Sequence, residues 1–163
     1  MSELAYIGVG TNIEPRMERI TAAIASLSAV GIVVRSSSIY ESAPYGVQDQ
    51  SAFLNAVVAL VVNSSPEELY LQLKQLELQL GRQQRQRWHE REIDFDILFF
   101  GSATISTPDL SIPHSDLLNR SFVVIPLREI APNIVHPMRM MTIEELSRPF
   151  DTLRAEELRK VHT

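Results

Sequence analysis

The chain has 163 residues, no cysteine, a net charge of −5 and a hydrophobic share of 45%. That length suits one domain, residues 1–163, with a real core, and the missing cysteines exclude disulfides and thiolate metal centres. The negative charge excludes a general nucleic-acid-binding surface, and no apolar run approaches the ~18 residues a membrane span needs. The opening Met-Ser-Glu-Leu-Ala-Tyr is no secretory signal, so a cytoplasmic protein is expected.

Residues 4–9 predict a strand that ends at Gly10-Thr11-Asn12. Over 16–27, Met17, Ile20, Ala23, Ile24 and Leu27 recur at the spacing of an amphipathic helix, and Gly31 stops it. Residues 32–40 are β-branched and serine-rich and predict a second strand. A loop with Pro44 and Gly46 covers 42–51, and Phe53–Val62 predicts a third strand, buried from Ala56 onward. The next helix announces its start with Ser65 as N-cap, Pro66 at the first position and Glu68 closing a capping box. Its stripe is Leu69, Leu73, Leu76 and Leu80, with Gly81 as the stop. Residues 93–100 predict the fourth strand. Past Gly101 the chain is Pro-rich, and a strand over 122–125, a short helix over 126–131, a capped turn over 142–147 and a charged terminal helix over 155–161 are expected.

The order βαββαβ predicts an α+β, ferredoxin-like core: an antiparallel sheet with helices on one face, extended by C-terminal elements. The other face is left for ligands.

Candidate chemistry centres on Asp94 and Asp96. Alternation from Glu92 to Ile97 is the period of a half-buried strand, with Ile93, Phe95 and Ile97 inward and Glu92, Asp94 and Asp96 outward. The two Asp Cα atoms then lie about 7 Å apart, and their carboxylates repel unless a cation sits between them. Oxygen-only ligands favour Mg²⁺ or Mn²⁺ over zinc. Upstream, Arg82, Arg85, Arg87 and Arg91 surround Trp88 in a stretch, 81–92, without hydrophobic period. It reads either as a solvated charged loop or as a lid that brings arginines onto polyphosphate. Trp88 favours the lid, because an exposed tryptophan needs a flat partner. His114 follows Pro113 near Asp116, Asn119 and Arg120, a set able to touch phosphate or ribose; His89, His136 and His162 read as structural or merely exposed. Phe53 and Asn55 share a strand face, where a ring and an amide could read a heterocycle, or could simply pack.

These pieces together resemble a known family, 6-hydroxymethyl-7,8-dihydropterin pyrophosphokinase, over nearly the whole chain. The likeness rests on Tyr6-Ile7-Gly8-Val9-Gly10-Thr11-Asn12, on Ser38 through Asn55, and on Leu76-Glu77, Gly81-Arg82, Arg87-Trp88 and Asp94-Phe95-Asp96-Ile97-Leu98-Phe99-Phe100-Gly101. Ile112-Pro113-His114, Asn119-Arg120-Ser121-Phe122 and Pro126-Leu127, continuing through Glu129-Ile130-Ala131-Pro132, complete it. The resemblance implies a ferredoxin-like fold and transfer of pyrophosphate from ATP to the pterin's hydroxymethyl oxygen, releasing AMP, in folate biosynthesis. It also implies that Asp94 and Asp96 bind two Mg²⁺ ions and that Arg82 and Arg91 clamp the transferring group. Glu77, Trp88, Ile97, Ser111, His114 and Arg120 would surround ATP. Phe53 and Phe122 would sandwich the pterin, with Asn55, Ser42, Pro44 and Tyr45 reading its edge. ATP and the pterin would be the only partners of a monomer, without nucleic acid or membrane. A bacterial cytoplasm is the simplest setting.

The chain departs from the family where Trp88-His89-Glu90-Arg91 replaces Trp-Gly-Pro-Arg, and where Gln84 stands for a usual arginine that Arg85 could replace in shifted register. Ala43 and Tyr45 also differ from the usual loop. Three rival readings follow: a non-catalytic pterin or nucleotide binder, another metal-dependent phosphotransferase on the same scaffold, and an RNA-recognition domain of the same strand order. The acidic fourth strand speaks against the last.

Overall fold

The protein is described by a computed structural model covering residues 2–43, 50–83, 85, 89–153 and 157–161. Its first unit is β1 (Glu3–Thr11), α1 (Arg16–Ser26), β2 (Ile32–Ser36), β3 (Ile39–Ser42) and β4 (Phe53–Val62). Then come α2 (Pro66–Gln79), β5 (Asp94–Phe100), the short pair β6 (Ile105–Ser106) and β7 (Ser111–Ile112), α3 (Ser121–Ile130), α4 (Ile143–Ser147) and β8 (Leu158–Val161). The main sheet runs β5-β1-β4-β3-β8, and β2 pairs with the far half of β4. Each of these pairings is antiparallel, as the ferredoxin-like expectation requires.

The first helix and the third strand fall where the side-chain period put them. The capping box of α2 is formed, with Ser65 Oγ accepting Glu68 N–H and Glu68 accepting Ser65 N–H. At the other end Gly81 adopts φ +92°, while Gly81 N–H reaches Leu78 O and Arg82 N–H reaches Glu77 O. This double bond pattern closes the helix with a left-handed residue that only glycine takes without cost.

The expected second strand is split: β2 and β3 are separated at Ser37 and Ser38, where Ser37 Oγ accepts the N–H of Val57. Helices cover both faces of the sheet. On one side α1 and α2 bury Ile20, Leu69 and Leu73 against Ile7, Val58, Phe95 and Ile97. On the other, α3 and α4 bury Val124, Leu127 and Ile143 against Val57, Ala59, Leu98 and Phe99. A register shift between Tyr6 and Ile7 opposite β5 inserts one residue there, and both Leu98 and Phe99 pack toward α3.

Two C-terminal expectations are overturned. Residues 122–125 are not a strand but the first turns of α3, because Val123, Val124, Leu127 and Ile130 form a helical stripe that fills the second core. Burial there overrides the strand preference of Val and Ile. The terminal segment is not a helix over its described part: Leu158–Val161 is a strand that covers β3, with Arg159 paired to Glu41 at 2.7 Å. Covering an exposed edge satisfies backbone groups that an isolated charged helix would leave to water.

Candidate active site

The site lies at one end of the sheet, on the face that α3 only partly covers, and β1 forms its floor. Gly8 is paired with Asp96 on one side and Val57 on the other; Gly10 is paired with Asp94 and Asn55. Both glycines point the same way from the strand. Their missing side chains leave bare backbone between the acids of β5 and the amide of β4. A cavity of about 100 Å³ opens there, lined by Gly8, Gly10, Ser42, Phe53, Asn55, His89, Arg91, Asp94, Asp96, Arg120 and Phe122. The expected strand over 4–9 is two residues short at this end, since β1 runs through Thr11.

One side of the cavity is built by β3, β4 and α3. Asn55 is buried, and its Nδ2 donates to Ser42 Oγ at 2.8 Å and to Tyr40 O at 3.3 Å. Its Oδ1 faces the floor, 3.5 Å from where a Cβ on Gly10 would stand. Phe53 and Phe122 reach the cavity from different elements, and the Arg120 guanidinium sits 5.9 Å from the Phe122 ring centre. Pro44 and Tyr45 lie outside the described residues.

The other side is a chain of charges. Arg82 Nη1 is shared between Glu77 Oε1 at 2.6 Å and Asp94 Oδ1 at 3.0 Å. Glu77 is 2% exposed, and its Oε2 accepts the N–H of Phe95 at 2.7 Å. Asp96 Oδ1 lies 3.8 Å from His114 Nε2, and its Oδ2 lies 3.8 Å from Arg120 Nη1. Burial first, then the Asp94 charge, pushes the Asp96 carboxyl up to about 7. His114 is moved the other way, below its ordinary value, by burial and by Arg120. Its Nδ1 accepts Asp116 N–H at 3.1 Å, which leaves the proton of the neutral ring on Nε2, toward Asp96. Arg91 lines the cavity and donates to His89 O and Glu90 O.

A second cavity of about 370 Å³ adjoins Asp96 and is walled by Tyr70 and Lys74 of α2, by residues 107–111, and by Ile97, Ser111 and His114. Ile97, Ser111 and His114 therefore gather as expected. Glu77 stands behind the wall and Trp88 lies outside the described residues, as do Arg87 and Gln84.

One expected placement is corrected. Glu92 does not share the face of Asp94 and Asp96. β5 begins at Asp94, and Glu92 turns back to accept Gln83 N–H at 3.2 Å and to pair with Arg85. Arg85 is thus engaged by the segment's own anchor. Sequence reading also gave Asn12 no site role and read His89 as structural or merely exposed. Asn12 is buried, takes Arg91 N–H on Oδ1 at 2.8 Å, and donates through Nδ2 to Gln50 Oε1 at 2.8 Å and Ser51 O at 3.0 Å. A polar side chain directly after a strand end was the available signal. His89 lines the first cavity, whereas His136 is structural, buried with its ring edge-on to Phe99 at 5.7 Å.

Among the described residues, no group of three or more His, Asp or Glu stands ready to enclose a metal ion. Two carboxylates on one strand face are what a magnesium ion needs when substrate phosphates and water complete its shell. Burial and the neighbouring Asp94 charge both disfavour the ionised form of Asp96. A small α+β enzyme that handles phosphate beside a flat-walled cleft is the class this arrangement defines.

The comparisons with known proteins are specific. Residues 6–132 match the family model described as 7,8-dihydro-6-hydroxymethylpterin-pyrophosphokinase. The 2-amino-4-hydroxy-6-hydroxymethyldihydropteridine pyrophosphokinase of Aquifex aeolicus is 38% identical over 149 residues, 91% of this chain and 92% of that one. The protein of the same name from Haemophilus influenzae is 40% identical over 148 residues, covering 90% and 92%. Among solved structures, Plasmodium falciparum HPPK-DHPS with pteroate superposes at TM-score 0.77 and 17% identity, over 92% of this chain and 42% of that longer chain, a likeness of fold. The chain belongs to the 7,8-dihydro-6-hydroxymethylpterin-pyrophosphokinase family. It is a transferase, and none of its described helices is long and apolar enough to cross a membrane.

Proposed function

We propose that the open end of the sheet is where this chain performs its family's reaction, with the acids of β5 and the amide of β4 serving the two substrates. The enzyme moves pyrophosphate from ATP to the hydroxymethyl group of 6-hydroxymethyl-7,8-dihydropterin, giving AMP and the pterin diphosphate in folate synthesis. ATP is the co-substrate. The observation that carries the assignment is the register at Gly10, which has Asn55 across one side and Asp94 across the other. Neighbouring strands are about 4.8 Å apart, so these two side chains are held about 10 Å apart across a bare floor.

The pterin lies between Phe53 and Phe122, its edge read by Asn55, Ser42 and the loop bearing Pro44 and Tyr45. ATP occupies the second cavity against Ile97, Ser111 and His114, with Arg120 at the junction, Trp88 a further contact by family likeness, and Glu77 holding Arg82 until substrate binds. Asp94 and Asp96 would hold Mg²⁺, two ions by family likeness, whose charge would offset that of the polyphosphate. Arg82 exchanges both Asp94 and Glu77 for phosphate oxygens, and Arg91 approaches the same group from the cavity wall. No strong general base is required, because positioning and charge dominate phosphoryl transfer. Every group invoked comes from a single chain, which supports a monomer, and we infer a cytoplasmic setting.

The test is product analysis with ATP, Mg²⁺ and the pterin. AMP appearing one-for-one with pterin diphosphate is expected. ADP in its place would overturn pyrophosphoryl transfer, and bound pterin without turnover would favour the non-catalytic reading.

A further inference from the structure

Glu77 has two cations on one oxygen. Its Oε1 is 2.6 Å from Arg82 Nη1 and 3.3 Å from Lys74 Nζ, while Oε2 is committed to the Phe95 N–H. Arg82 is itself divided, because the same Nη1 holds Asp94. On the role proposed above, Arg82 gives up both acids to reach the polyphosphate. Asp94 then gains a metal. Glu77 gains nothing from the substrate side and is deeply buried, and an uncompensated buried carboxylate is strongly disfavoured. Something must hold its charge, or Arg82 will be retained.

Lys74 is placed to do this. It lies three residues before Glu77 on α2, so the helix fixes its reach independently of residues 81–92. Its side chain is 37% exposed at the rim of the second cavity, so its ammonium keeps water while touching the carboxylate. The Tyr70 ring, 5.4 Å from Nζ and also on α2, steadies it from the other side. We propose that Lys74 is a positioning residue, the standing counter-ion of Glu77 that releases Arg82 to the transferring phosphate. The proposal rests on the placement of Arg82 argued under the function above.

The experiment compares wild type with Lys74→Met, Lys74→Arg, Glu77→Gln and the Lys74→Met/Glu77→Gln double variant. Three quantities are read: kcat for AMP formation, Kd for Mg–ATP without pterin, and Tm. Lys74→Met is expected to lower kcat about tenfold or more with Kd changed by less than about threefold, and Lys74→Arg to restore most of the rate. In the Glu77→Gln background the same Lys74→Met change is expected to alter kcat by less than about twofold, because no charge remains to be held. A loss confined to Kd would make Lys74 a direct nucleotide contact and overturn the proposal. Equal kcat losses in both backgrounds would also overturn it. Should Lys74→Met fail to fold, Lys74→Gln carries the same comparison. Arg82→Met with kcat unchanged would instead sink the role of Arg82, a failure distinct from that of Lys74.

Discussion

The side-chain oxygen of Asn12 accepts the backbone N–H of Arg91 at 2.8 Å, across 79 residues of sequence. The pairing is mutual, since Asn12 N–H reaches Arg91 O at 3.2 Å. The other end of the same amide holds Gln50 and Ser51, so one buried residue ties the loop beside the heterocycle to the segment carrying the arginine. Asn12→Ala removes three side-chain hydrogen bonds made by a buried residue and is expected to lower unfolding free energy by about 1–3 kcal/mol, read by urea titration. It should also cost about tenfold or more in kcat/KM, since the Arg91 N–H loses its side-chain acceptor and only the Arg91 carbonyl stays tied, to Asn12 N–H and Thr11 Oγ1. Full activity in a stably folded variant would remove Asn12 from the site.

The glycine floor yields a substrate-selective prediction. A Cβ on Gly10 would meet Asn55 Oδ1 at 3.5 Å and Phe53 Cδ1 at 3.9 Å, which are ordinary contacts. Gly10→Ala should therefore fold with Tm within a few degrees of wild type. The methyl group would stand in the cavity and is expected to raise KM for the pterin about tenfold, leaving KM for ATP nearly unchanged. Matching rises in both constants would contradict the division of the site.

Asp96 makes the metal-free protein sensitive to pH. Its carboxyl titrates at about 7 when folded, above the 3.8 of the unfolded chain. The unfolded state therefore ionises first as pH rises, and the fold loses stability between pH 4 and 7. With 31% of the side chain open to solvent, screening moderates the loss. Metal-free Asp96→Asn should melt higher than metal-free wild type at pH 8 and lose most of its turnover. Added Mg²⁺ should raise the wild-type Tm at pH 8 and leave that of Asp96→Asn nearly unchanged. Identical melting of the two metal-free proteins would refute the repulsion.

Glu92 acts in the opposite direction. Pairing with Arg85 and the Gln83 N–H outweighs its burial and depresses its carboxyl to about 2, from an ordinary 4.5. Its contribution is complete above pH 4.5 and is lost as pH falls toward 2. A shift of that size corresponds to at most about 3 kcal/mol. Glu92→Gln should be less stable at pH 7 and show a flatter stability curve between pH 4.5 and 2.5, measured by denaturant unfolding.

Much of the first hundred residues was legible because local signals and burial agree there. Ser65, Pro66, Glu68 and Gly81 each act on their nearest backbone, so their sequence positions carry the geometry. The same holds for Asp94 and Asp96, whose shared face follows from strand period alone. The losses lie where long-range packing decides. Phe122 to Ile125 have the composition of a strand, yet Val57, Leu98 and Phe99 recruit them as a helix from distant parts of the chain. Glu92 obeys the alternation on paper, but the strand starts two residues later and its charge goes to Arg85. Leu158 to Val161 become a strand only because β3 offers an edge. Lys74 gave no motif at all, since its meaning depends on which oxygen of Glu77 it meets.

The glycine-floored strand has one more consequence. At Gly10, strand hydrogen bonds on both sides of β1 hold Asn55 on one side and Asp94 on the other, so the gap between these two residues is set by the sheet and not by a loop. The ruler that sets how far apart they stand is the sheet itself, and it keeps its length.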